Sequence, residues 1–298
     1  MKLIKPKAEL LLQQPGLEGV YKQIELAGRT CYKSTDKITE DSAKPFVDRM
    51  INSNHLAMLE HGTVYLKISI PKKAWFKSVV DKYYGNPHSK VNNTFDDYDY
   101  HYFITTNYRV LIENGWLDDL KYMCAPTEYH EKRYTFRLIT SIGVTRELNR
   151  HRVNSIAEMS TRYCNYSKDK FGNEINVIIP QWCNLIDGNS YDLDIVYNCD
   201  ITENINLKDK LFLESVCTSE NNYMLLLQEG WQPQQAREVL PLCTATEIIH
   251  TAFASDWKHF FDLRYFGTTG KPHPNMVELS TLMKEEAEKH GIWDNLHN

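Results

Sequence analysis

A globular protein that mixes α-helices with β-strands is what this sequence predicts, on three observations. Apolar residues recur with helical period over 17–27 and again over 208–229, which gathers them on one face of a helix. Residues 63–70, TVYLKISI, alternate with period two, as a strand with one buried face does. Hydrophobic residues are 42% of the 298 positions and aromatic residues 12%, ample for a packed core in one large or two modest domains.

In chain order, the helix over 17–27 is expected to end at Gly28, with GRTCYKS forming a polar turn. A second helix is expected over about 40–52, capped by Thr39 or Asp41, with Phe46, Met50 and Ile51 on its apolar face. Before the strand at 63–70, Glu60 and His61 read as a local hydrogen-bonded pair supporting the fold. The segment at about 71–132 carries a helix-like AWFKSVVDKYY, a polar NPHSKVNNTFDDYDYHY, and a second helical pattern capped near Thr106 or Asn107. Residues 134–144 read as a strand and 145–152, TRELNRHR, as a helix. A short strand is expected at 177–179, then a polar connection, then a helix over 208–229 that breaks at GWQP. Helical periodicity is expected to resume over 244–266, and a Gly/Pro-rich loop precedes a terminal helix.

Charge and composition exclude several classes. A net charge of -5 argues against a general nucleic-acid binder, which needs a basic surface to displace counterions. The start, MKLIKPKAELLLQQPG, has too short an apolar run for a signal-peptide core, and no stretch approaches a membrane span, so a cytoplasmic protein without a membrane partner is expected. Seven cysteines, at 31, 124, 164, 183, 199, 217 and 243, form no C-x-x-C pair. They indicate neither a disulfide framework nor a metal site, and most are expected as buried thiols. There is no G-x-G-x-x-G and no P-loop.

Chemistry concentrates in 150–163, RHRVNSIAEMSTRY. Arg150, His151, Arg152 and Arg162 set permanent cations beside a titratable ring, with Glu158, Ser160 and Thr161 among them. Guanidinium groups bind oxyanions through paired hydrogen bonds, which suits a phosphate or another planar anion. An Arg-rich run is ordinarily a solvated helix face. The spacing R-H-R-x7-S argues otherwise, because it resembles the signature of the flavin-dependent thymidylate synthases. Further elements share the resemblance: Ala236-Arg237 leading into Leu240-Pro241-Leu242, the pair Leu263-Arg264, and His55 ahead of Glu60-His61.

The resemblance implies an α+β fold, a twisted antiparallel sheet flanked by helices, in a single catalytic domain over 1–298 with an insertion at about 71–132. It implies reductive methylation of dUMP to dTMP, with methylenetetrahydrofolate as carbon donor, FAD as electron carrier and NADPH as reductant, in a homotetramer with shared sites. Arg150, Glu158, Ser160, Thr161, Arg162, Arg237 and Arg264 would bind the nucleotide, and Arg150, Ser160, Arg162 and Arg264 would serve catalysis. His55, Arg150, His151, Arg152, His259 and His273 would lie toward the flavin. Ser160 has no sequence-adjacent base, so its expected role is hydrogen bonding. Cys164, the one thiol near the arginines, is expected not to act as a nucleophile.

The chain departs from the family pattern at several positions. Ala57 replaces a hydroxyl residue, and Glu147 stands where a Gln is usual, so it must face the base, pair with an Arg or point elsewhere. Phe253 and Ser255 replace flavin-contacting Asn and Arg, shifting those phosphate contacts to Lys258 or His259. The insertion reads as a lid, a contact surface or a surface elaboration. A 5-hydroxymethyl-dUMP-forming relative and a non-catalytic nucleotide-binding scaffold are the alternative functions.

Overall fold

The computed structural model describes residues 1–73, 78–168, 172–198 and 205–297. The chain opens with β1 (Lys2–Ile4) and β2 (Lys7–Leu11), followed by α1 (Gly16–Cys31) and α2 (Ala43–Asn52). A 3-10 segment, Leu56–His61, leads to β3 (Thr63–Pro71), then α3 (Ser78–Tyr84), β4 (Lys90–Phe95), β5 (Asp99–Asn107) and α4 (Tyr108–Glu113). Next come β6 (Arg133–Ser141), α5 (Ile142–Leu148), β7 (Ser155–Glu158), β8 (Asn176–Ile178), α6 (Leu193–Tyr197) and α7 (Leu207–Gln228). The last elements are α8 (Pro233–Ala236), β9 (Ala245–Phe253), α9 (Ala254–Arg264), α10 (Pro274–Lys289) and α11 (Trp293–His297).

The expected α+β architecture is present. Antiparallel pairing builds one sheet in the order β2-β6-β9-β7 and another in the order β3-β5-β4, while β1 and β8 form a parallel pair. Helices cover both sheets, and β9 of the first is buried on both faces. Trp257, Phe260 and Phe261 of α9 and Leu279 and Met283 of α10 pack with Phe136, Leu138 and Ile248 of the first sheet. Val20, Ile24 and Val47 of α1 and α2 pack with Val64, Leu66 and Ile104 of the second. Removing a side chain of this size from water contributes about 1.5–3 kcal/mol. Among the described residues no helix is long and apolar enough to cross a membrane.

Several local expectations are corrected. α1 runs through Gly28 to Cys31, because a Cβ at Gly28 would stand 2.5 Å from the Phe46 ring and its absence lets α2 pack there. α2 starts at Ala43, with neither Thr39 nor Asp41 as its cap. The polar run 86–102 holds β4 and the start of β5, joined by a turn in which the Asp96 carboxylate accepts from the backbone N–H of Tyr98 and Asp99. Its exposed Asn92 and Asn93 hide the alternation. Asn107 does cap α4, accepting from Val110 N at 3.1 Å. The helix expected over 145–152 stops at Leu148, so the signature lies on a turn and on β7. Residues 245–253 form strand β9, buried at every position, where a helix was expected. Glu60 and His61 do not pair with each other: Glu60 binds Arg109 at 2.5 Å, and His61 Nδ1 meets Thr251 Oγ1 at 2.9 Å. Residues 74–77 of the expected first inserted helix, and Cys199, lie outside the described residues.

Candidate active site

Sheet and helix ends place the signature. Ser141 caps α5 by accepting from Val144 N at 3.3 Å, and the helix presents Glu147 before the chain turns into His151. At the end of α9, Arg264 donates from Nη1 to Glu147 Oε2 at 2.8 Å, from Nη2 to Glu147 O at 3.2 Å, and from Nε to His151 Nε2 at 3.3 Å. Glu147 therefore pairs with an arginine, one of the three readings left open for it. Because His151 Nε2 accepts, its ring is neutral with the proton on Nδ1. Burial, then Arg264 and His259, push its pKa down to about 4. His259 sits 6.0 Å from the His151 ring, centroid to centroid.

β7 pairs antiparallel with β9, Ser155 opposite Thr251 and Glu158 opposite Ile248. Burial pushes the Glu158 carboxyl up, and the polar side chains of Thr145, Thr246 and Asn149 around it act against that shift. Just beyond, Ser160 N donates to Cys31 O at 2.8 Å, tying the signature to the end of α1. Ser160 Oγ accepts from Arg162 N at 3.3 Å, consistent with a hydrogen-bonding hydroxyl. Thr161 is half-buried beside it. Arg162 is exposed, donates from Nε to Gln234 Oε1 at 3.2 Å and lies 5.1 Å from the Tyr163 ring. This brings Arg162 to α8, which runs directly into Arg237, also exposed, whose nearest carboxylate is Glu238 at 3.6 Å. Arg150 and Arg152 are exposed on the turn, and among the described residues neither has an ion-pair partner.

The histidines expected near a flavin divide between places. His55 lines a cavity of about 560 Å³ with Gly28, Tyr32, Met58 and Tyr163, where the Tyr32 and Tyr163 rings lie 5.4 Å apart. His273, at the start of α10, lines another of about 480 Å³ with Glu147, Trp182 and Leu242. Lys258 donates to His297 O at 3.0 Å, so α11 engages it. Phe253 is buried, with the Arg133 guanidinium and the Lys90 ammonium 5.3 and 5.6 Å from its ring, while Ser255 donates to Glu131. The sequence reading missed Arg109 and Glu113, which line the His55 cavity; their only signal was a helical i,i+4 charge pair. Cys164 is buried, and Cys31 is pushed up to about 11, by burial first.

Fold and site together define an α+β protein with a cluster of exposed arginines. The profile described as "Thymidylate synthase complementing protein" matches residues 120–290, more than half of the chain, and the chain belongs to that family, the flavin-dependent thymidylate synthases. A relative from Paramecium bursaria Chlorella virus 1, described as "Probable flavin-dependent thymidylate synthase", is 28% identical over 153 residues, which is 51% of this chain and 64% of the relative. The match thus spans under two thirds of that relative's length. Among solved structures, the UMP/dUMP methylase PolB from Streptomyces cacaoi bound with 5-Br dUMP shares 16% identity at a TM-score of 0.44, covering 99% of this chain and 96% of that one. The same enzyme bound with 5-Br UMP gives 15% identity, a TM-score of 0.44, and coverage of 99% and 95%.

Proposed function

We propose that this chain catalyses reductive methylation of dUMP to dTMP in the cytoplasm, with methylenetetrahydrofolate as carbon donor and NADPH as reductant. One observation carries the reading: in a chain of net charge -5, Arg150, Arg152 and Arg162 stand exposed without a carboxylate partner among the described residues. Guanidinium groups left unneutralised offer their donors to an incoming anion. Arg162 and Arg237, flanking α8, take the phosphate, while Arg150 stabilises negative charge developing on the pyrimidine carbonyls. Glu158, Ser160 and Thr161 hydrogen-bond the nucleotide. Arg264, held by Glu147 and His151, keeps N–H groups on its terminal nitrogens for it.

A methylene carbon needs one hydride to become a methyl group, and a bound FAD, once reduced by NADPH, would supply it and return to its oxidised form. The His55 cavity suits such a group, being concave and setting the apolar Met50, Leu56 and Met58 against the polar Asn54, His55, Arg109 and Glu113. There His55 and the Tyr32–Tyr163 pair bound the ring. His151, Arg152, His259 and His273 extend the cofactor site, and the placing of His55 and His273 in different cavities of one chain supports completion of each site by other copies in a homotetramer. Light scattering is then expected to return four times 34.9 kDa. An active monomer would remove the shared-site argument.

The decisive experiment records the visible spectrum of the protein with FAD and follows its change on adding dUMP. Flavin absorbance perturbed by dUMP supports the reading; neither flavin uptake nor a dUMP response overturns it. Product mass then separates thymidylate from the 5-hydroxymethyl nucleotide. A further expectation concerns the nucleophile. Cys164 is fully buried behind the signature, so Cys164→Ala should keep FAD and dUMP binding and form thymidylate within about tenfold of the parent rate, near 1.4 kcal/mol in barrier. A folded, ligand-binding variant that makes no product would hand the pyrimidine to a cysteine.

A further inference from the structure

The insertion enters the same cavity. Its strand β5 pairs with β3 along the whole of both, Thr63 opposite Asn107 through Pro71 opposite Asp99, so α4 starts one residue beyond a fixed sheet position. Asn107 caps that helix, and Tyr108 N donates to Gly62 O at 2.9 Å, which sets α4 against the segment carrying His55. As a result Arg109 and Glu113, one helical turn apart, form a charged wall of the cavity of about 560 Å³ that His55, Tyr32 and Tyr163 also line.

The donors and acceptors on this wall are fixed in place. Arg109 Nη1 donates to Glu60 Oε1 at 2.5 Å, while Nε and Nη2 each lie 2.8 Å from Glu113 Oε1. Each terminal nitrogen retains an N–H, and Glu113 retains its second oxygen. Both side chains are half-exposed, so these groups are open to a ligand. With two carboxylates around one guanidinium the wall carries net negative charge, which disfavours a phosphate there. A donor set beside an acceptor matches the alternating carbonyl, N–H and carbonyl of a cyclic imide edge, which is neutral and planar. Flavins and uracil nucleotides both present such an edge.

We propose that Arg109 and Glu113 of the inserted segment bind the imide edge of the ring ligand held in the His55 cavity. This makes the insertion part of the binding site, and it rests on the proposed function above, whose ligands are the candidates. The test titrates FAD and, separately, dUMP into the full chain, following flavin absorbance for the first and heat for the second. The proteins are the parent, Glu113→Ala, Arg109→Lys and, as control, Tyr98→Ser at the exposed tip of the inserted hairpin. Arg109→Lys keeps the charge beside Glu60 but loses the fork, so it guards against leaving the half-buried Glu60 carboxylate unpaired.

Expected is a tenfold or greater weakening of one ligand in both wall variants, with thermal melting close to the parent and the control unchanged. Weakened FAD assigns the edge to the flavin, and weakened dUMP assigns it to the uracil. A parent that binds either ligand, with both wall variants binding it equally well, overturns this inference alone. So does equal weakening in the Tyr98→Ser control. A parent that binds neither ligand overturns the proposed function and this inference with it.

Discussion

Arg162→Ala and Arg237→Ala are each expected to weaken dUMP binding by about 1.5–3 kcal/mol, the usual range for hydrogen bonds to a charged group. That is on the order of a tenfold to hundredfold rise in Kd. The two side chains flank α8 and share no carboxylate strong enough to neutralise them: Arg162 leans on the neutral Gln234, and Arg237 sits 3.6 Å from the exposed Glu238. Gln234→Ala offers a graded version, since it frees Arg162 without removing charge and should cost less than either arginine. Calorimetric titration of dUMP into the three variants checks the order. Unchanged affinity in both arginine variants would take α8 and its surroundings out of the nucleotide site.

The sequence made some of this arrangement visible and concealed the rest for identifiable reasons. β3 was legible because Val64, Leu66 and Ile68 are buried while Lys67 and Ser69 are exposed, which is the alternation that periodicity detects. α7 was legible from its length and its break at Gly230, and Asn206 caps it as a helix start should be capped. β9 was not, because a strand buried on both faces has no alternation to read. Several of its buried polar groups find partners inside the protein: Glu247 with Lys33 and Arg137, His250 Nε2 with Asn154, Thr251 with His61 and Thr135. The helix read over TRELNRHR was too long, since it ends at Leu148 and the strand pairing of β7 takes over. Arg109 and Glu113 carried no signal beyond their i,i+4 spacing, because the resemblance assigns no role to residues 71–132, the expected insertion.

Acid is expected to begin destabilising the protein before ordinary carboxylates titrate. His61 is completely buried, bonded to Thr251, and held down to about 3 by burial and then by the Arg133 cation. His151 is held down to about 4, and burial, then His151 and His61, hold His250 well below the usual histidine range. Unfolded histidine takes up a proton near pH 6.5. Above that pH neither state binds the proton, and the stability is intact. Below it the unfolded chain gains protons that the folded chain refuses, so stability falls progressively from about 6.5 down to the folded values near 3 to 4. For His61 the difference amounts to several kcal/mol, a large part of the ~5–15 kcal/mol typical of a domain. Glu158 and Asp256 act in the opposite sense: burial raises both, so protonating them on acidification favours the folded state. They are less deeply buried than His61 and His250, and the histidines prevail. Helical circular dichroism against pH should show cooperative loss between about 6 and 4, and urea midpoints should decline across that interval. A urea midpoint that holds level from pH 7 to 4 would mean that His61 and His250 find a proton partner inside the fold.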